Sequence, residues 1–262
     1  MKSKFYIAVA ALFAVACNPI TTDVELTNSF DKDNIVLKAY QTTSGSNEIT
    51  LRMESEGITG YWDYTIGTKY SDECTFIFPY TGTHTFTYYV TTPYIIDGDV
   101  GNTEYVAATI DVEVTTMDAA LADAYYHLVG SDLGGKTWVF DTSASYYWTM
   151  VDGSNSGSVW WSPAGDWVFP GDLEGKMYFN VSGGANYDYY SSADATPVNG
   201  NFVFNGSYTT LSFPTAGADI LGSNGGSTTY EIITLTDDTL VLFSSYVEAY
   251  GTGWLWSYKP QE

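Results

Sequence analysis

Short runs in which apolar and polar residues alternate occupy most of the chain. Between Val24 and Thr116 they read NIVLKAY, EITLRME, CTFIFPY, HTFTYYV and ATIDVEV; from Lys136 onward they read KTWVFD, SVWWSP, KMYFNV, NFVFNG, TLSFP, YEIITL, TLVLFSS and GWLWSYK. A period of two sends successive side chains to opposite faces, and turn residues recur at close intervals, which is the pattern of antiparallel β-sandwiches. The alternation breaks at MDAALADAYYHLVGSDLGG (117–135), where Leu121, Ala124, Tyr125 and Leu128 fall at helical spacing. Asp118 is the expected N-cap there and Gly130 the expected stop. The pattern predicts an all-β chain: an antiparallel β-sandwich over 24–116, a short linker helix over 117–135 and a jelly-roll-like or related closed β-sandwich over 136–262. Asp237-Asp238 lie in the tight hairpin expected between Leu235 and Thr239.

The start of the chain follows another logic. Lys2 and Lys4 precede an apolar run from Phe5 to Ala16 that ends at Cys17. The run is too short to span a bilayer and has the order of an export signal, so residues 1–16 stay outside fold reasoning. Ala14, Val15 and Ala16 before Cys17 resemble a bacterial lipobox, in which the cysteine is acylated and becomes the mature N-terminus. Cys74 is the second of two cysteines. An exported chain therefore lipidates Cys17, pairs it with Cys74 or leaves two thiols free, and the first option makes Cys74 a buried, unpaired core residue. Residues 17–23 then form a tether.

Charge narrows the partners. Removal of residues 1–16 leaves seven basic residues against 31 acidic ones, a net charge of −24. Such a field repels nucleic acid and anionic head groups and leaves neutral ligands, cations or cationic partners.

Within the first β region, YWDYTIGT (61–68) followed by YTGTHTFTYYVTT (80–92) is similar to the PKD domain, an immunoglobulin-like sandwich of cell surfaces. Trp62, Asp63, Tyr64, Tyr80 and Gly82 carry the match, with Ile66-Gly67-Thr68 standing where the family has Gly-Asp-Gly. The resemblance implies that Trp62 is the core tryptophan.

The stretch YYWTMVDGSNSGSVWWSPAGDW (146–167) concentrates aromatic rings among glycine, serine and acidic residues. On a strand, Trp160 and Trp161 cannot both enter one core, and the same parity applies to Tyr146-Tyr147 and Tyr189-Tyr190 if those pairs are extended. Trp254, Trp256 and Tyr258 share a face, which we read as core, as we do Trp138. Exposed flat rings beside Asp, Asn and Ser suit a hydroxylated neutral ligand, because a ring covers the C–H face of a sugar while polar groups meet its hydroxyls. The candidate carbohydrate-binding residues are Tyr147, Trp148, Trp160, Trp161, Trp167 and Tyr190. Covering roughly 40 Å² per stacked sugar is worth about 1 kcal/mol. Useful affinity therefore needs several subsites or many copies. Packing of the same rings between loop and sheet is the competing reading.

Chemistry beyond binding finds little support. No Glu-x-Asp-x-x-Glu spacing occurs after residue 136, so the paired carboxylates of a jelly-roll glycosidase have no visible source on one strand. His84 and His127 stand far from the aromatic stretch, which leaves neither a serine–histidine triad nor a histidine-rich metal site there. DGDVGN (97–102) begins like a calcium loop, but Ala108 stands where its glutamate belongs, and it reads as an acidic turn. The expectation is a non-enzyme with no cofactor and no metal.

The order of lipobox, PKD-like region, Ala/Leu helix, GGKTWVFD and a closing YEIITLTDDTLVLFS…WSYK resembles a group of Bacteroidota outer-membrane lipoproteins of polysaccharide-utilisation (Sus-like) systems. The resemblance implies a lipid-anchored, surface-exposed glycan-binding protein working beside a SusD-like partner and a TonB-dependent transporter; it fixes no individual binding residue. Two other readings stay open: a structural or adhesive surface protein binding another protein through a flat apolar patch, and a lipocalin-like small-molecule binder with a closed barrel and an apolar cavity.

Overall fold

The alternating runs become strands in the computed structural model, which describes residues 34–90, 106–162, 169–223, 227–246 and 251–262. The first seven strands are β1 (Leu37–Gln41), β2 (Glu48–Met53), β3 (Gly60–Asp63), β4 (Thr68–Lys69), β5 (Glu73–Ile77), β6 (Gly82–Val90) and β7 (Val106–Val114). They form a three-stranded sheet, β1-β2-β5, and a four-stranded sheet, β4-β3-β6-β7. Residues of alternating parity meet between the sheets: Ile49, Leu51 and Cys74 from one side, Trp62, Phe86 and Tyr88 from the other. The Trp62 ring is fully buried, meets Tyr88 edge-on at 5.1 Å and donates its indole N–H to the Asp72 carbonyl. Cys74 is a free, buried thiol. DGDVGN lies outside the described residues, as do Cys17 and the whole export segment.

The linker departs from expectation in one respect. Its helix α1 spans Asp123–Val129, with Ala122 at the N-cap and no side-chain cap. Asp118 is not the cap because its carboxylate is engaged elsewhere, accepting hydrogen bonds from the hydroxyls of Ser46 (2.7 Å) and Thr43 (3.2 Å) on the sandwich. Next to it, Asn47 and Ala119 exchange two hydrogen bonds, from Nδ2 to the carbonyl and from the amide to Oδ1. At the other end Gly130 stops the helix with φ of 98°, as glycine allows. Beyond it, the Leu128 carbonyl accepts the Trp138 indole N–H at 2.9 Å. The helix is thus fastened at both ends rather than acting as a free spacer.

The remaining strands are β8 (Lys136–Phe140), β9 (Trp148–Asp152), β10 (Asn155–Trp161), β11 (Lys176–Asn180), β12 (Asn186–Tyr190), β13 (Val198–Asn201), β14 (Val203–Phe204), β15 (Thr210–Ser212), β16 (Thr229–Leu235), β17 (Leu240–Tyr246) and β18 (Thr252–Pro260). They make one antiparallel sheet in the order β13-β12-β11-β8-β18-β17-β16-β15-β14. Its two end strands are separated only by Phe202, so the sheet comes round on itself. The all-β expectation holds: the second β region is a largely meandering sheet that comes round on itself, with β8–β11, β8–β18 and β9–β18 joining strands distant in sequence. Short turns favour the pairing of consecutive strands such as β11–β12 and β16–β17. The long strand β18 is shared along one edge, its C-terminal part pairing with β8 and its N-terminal part with β9. The β9–β10 hairpin therefore extends the sheet beyond the barrel proper.

Candidate functional site

The barrel interior is aromatic. Phe179, Tyr187, Phe202, Phe213, Tyr230, Trp256 and Tyr258 are buried, and Tyr187 meets Phe213 at 4.5 Å between ring centroids. A loop with Ala218, Ile220 and Leu221 buried closes one end. A buried loop needs partners for its backbone groups. The barrel wall supplies them: the Gly222 carbonyl accepts the indole N–H groups of Trp148 (3.1 Å) and Trp256 (3.0 Å), and the Leu221 carbonyl accepts the Tyr258 hydroxyl (2.6 Å). The Asp219 carbonyl accepts the Tyr187 hydroxyl (2.6 Å), while its carboxylate takes the hydroxyls of Tyr230 and Ser223. The Gly222 N–H points to both oxygens of Asp172, which also accepts the Tyr189 hydroxyl at 2.7 Å. Burial, reinforced by these carboxylates, raises the pKa of Tyr189 and Tyr230, so both phenols remain neutral donors.

From this closed end an aromatic row runs outward on one sheet face. Tyr258 and Trp256 are buried and Trp254 half-buried. Trp254 stacks on Trp148 at 5.1 Å, and Trp161 meets Trp148 edge-on at 5.5 Å and Trp254 at 6.5 Å. Register accounts for the gathering: Trp148 pairs with Trp256, Met150 with Trp254, and Trp161 with Met150, so all project to the same side. Beside Trp148 a cavity of about 450 Å³ opens at the rim, lined by Phe169, Asp172, Tyr189, Ser191, Gly222 and Ser223 among others.

The parity expectations can be read directly from these positions. Trp160 is 47% exposed beside a half-buried Trp161, at an irregularity in the β9–β10 pairing, and Tyr146 is 51% exposed beside a buried Tyr147 in the turn before β9. Two of the candidate residues need correction. Tyr147 and Trp148 are each only 7% exposed: Tyr147 packs on Phe140 at 5.6 Å, and Trp148 is held by its bond to Gly222. Neither offers a free ring; Trp148 reaches solvent only as one wall of the rim cavity. Tyr190 is half-buried on the outer face of β12, with the Lys176 ammonium over its ring at 4.6 Å, apart from the tryptophan row. Trp167 falls in 163–168, outside the described residues.

Sequence reasoning did not single out Asp172, Tyr189 and Gly222. Asp172 is bonded to a residue 50 positions away, and no local spacing announces such a pair. The stripe Trp254-Trp256-Tyr258 was visible; its graded exposure along one strand was not. Among the described residues no three His, Cys, Asp or Glu side chains converge where a metal ion could be held. Compared with family models and with curated proteins, the chain matches none.

Proposed function

We propose that this chain is a non-catalytic binder of a neutral polysaccharide or oligosaccharide, taken up at the rim of the barrel. The carrying observation is the row Trp148–Trp254–Trp161 ending beside a 450 Å³ cavity whose wall combines rings with Asp172, Tyr189 and two serines. Rings meet the apolar faces of a sugar and the polar groups its hydroxyls. The volume lies in the range of small-ligand sites. The excess of acidic residues argues against a polyanionic glycan. The export signal and Cys17, together with the resemblance to Sus-like lipoproteins, support a lipid-anchored position on the outer-membrane surface and work beside a SusD-like partner and a TonB-dependent transporter. A lipocalin-like role gains from the sheet that comes round on itself, but the contacts among interior rings favour the rim over the barrel lumen as the place for a ligand.

Affinity electrophoresis of the soluble mature chain through gels of different polysaccharides tests this reading. At least one neutral glycan should retard the protein. Trp161→Ala should weaken that retardation about fivefold, the worth of one stacked sugar. Trp160→Ala, whose ring is outside the Trp148–Trp254–Trp161 contacts, should not. Retardation that ignores Trp161→Ala in a variant with unchanged melting temperature would remove the site.

A further inference from the structure

A separate cavity of about 350 Å³ lies between the sandwich and the barrel, lined by Thr65, Ile66 and Tyr80 on one side and by Tyr125, Phe204 and Tyr208 on the other. No Asp, Glu, Lys or Arg side chain lines it; polar groups come from His84, Asn201 and Asn205, and most of the wall is apolar. This differs from the rim cavity, where Asp172 stands at the centre. Ile66 and Tyr208 also border a neighbouring cavity of about 500 Å³, so the junction continues beyond the partition they make.

Backbone conformation marks the same place. Among the described residues three non-glycine residues have φ in the left-handed region, Thr65 (72°), Leu133 (60°) and Tyr208 (57°), and two of them, Thr65 and Tyr208, line this cavity. Thr65 sits at the apex of a γ-turn in which the Ile66 N–H donates to the Tyr64 carbonyl at 2.8 Å. The positive-φ form of that turn is rare, and a β-branched residue suits it badly. Tyr208 occupies the hairpin position where glycine is usual, and so keeps its ring against Phe204 (5.6 Å) and Tyr125 (6.0 Å). Glycine would close either turn more easily, but would leave the cavity without Tyr208's ring. Strain of this kind gathers at ligand clamps. Ile66 and Tyr208 are each 39% exposed, which leaves the mouth open to solvent.

We propose that this junction cleft is a second binding site, independent of the rim, for an uncharged ring-containing molecule that stacks on the tyrosine and phenylalanine rings. Nile red, an uncharged aromatic dye, is the probe. Titrated into the full mature chain, it should show saturable, blue-shifted fluorescence at one dye per chain. Ile66→Asp, which places a charge at the exposed turn, should weaken binding about tenfold. Gly206→Trp, whose new side chain starts in open space with no atom within 4 Å, should do the same by filling the cleft. Trp161→Ala should leave the dye's affinity unchanged. Non-saturable binding, or undiminished affinity in Ile66→Asp with an unchanged melting temperature, would overturn the assignment. So would loss of the dye in Trp161→Ala, which would place it at the rim.

Discussion

Gly222 shows how much one residue can decide. Its φ is 73°, and an added Cβ would lie 2.7 Å from Phe140 Cζ and 3.1 Å from Trp148 Cδ1. Its carbonyl and amide tie two indoles and Asp172 together. Gly222→Ala combines left-handed strain with overpacking and should cost about 3 kcal/mol, read as a lower urea midpoint. A melt unchanged from wild type would mean that the plug loop yields freely. The opposite sign is expected at Thr149, whose buried hydroxyl finds no partner among the described residues. Thr149→Val should raise stability by about 1 kcal/mol in the same assay, because it removes an unsatisfied group without changing shape. At this scale the sequence was informative in requiring that adjacent rings not all be buried: Trp160 is exposed next to Trp161, and Tyr146 is exposed next to a buried Tyr147, although the first pair lies at a register irregularity and the second in a turn. It was silent at Asp172 and Gly222, whose roles exist only once a distant loop has entered the barrel.

Among the elements, the segment before α1 matters most. Asn47 is fully buried and satisfies both backbone groups of Ala119. Asn47→Ala strands those groups and should destabilise the chain by about 2 kcal/mol in chemical unfolding. A loss within error of zero would show that water replaces the amide. On the far side, His127 Nδ1 meets Asp237 Oδ1 at 2.8 Å and Lys136 Nζ donates to the His127 and Asp237 carbonyls, which fastens α1 to the β16–β17 turn. The helical spacing of Leu121, Tyr125 and Leu128 located this element and Gly130 its end. Its start was misplaced because Asp118 had a stronger claim from Ser46 and Thr43 than from the helix, and a contact 72 residues away in sequence leaves no local trace. The strand runs from Lys136 onward were equally legible, yet whether they cross or follow one another depends on turn geometry, which alternation does not encode.

For the whole molecule, acid and alkali should act through different groups. Asp118, Asp152 and Asp237 are held below the usual aspartate range, chiefly by side-chain hydrogen bonds from Ser46, Ser154 and His127 respectively. Each contributes stability that is fully present above its ordinary value of 3.8 and is lost as pH falls through the lower folded value. Burial pushes the Cys74 thiol the other way, up to about 11 from 9.0. Between those values the unfolded thiol ionises while the folded one keeps its proton, so stability falls as pH rises; the buried phenols of Tyr187, Tyr230 and Tyr258 extend that loss to higher pH. Melting temperature against pH should therefore decline below about pH 4 and above about pH 9. A flat alkaline limb would contradict the burial of these groups.

The central claim is that a neutral sugar sits against the tryptophan row at the barrel rim. Side-chain indole N–H resonances report on it directly, since each tryptophan gives its own signal. On titration with a retarding glycan, Trp161 and Trp254 should shift while Trp62 and Trp138, buried in the two cores, stay fixed. If a bound glycan moved only Trp160, or left every indole unmoved, the rim would not be where the sugar goes.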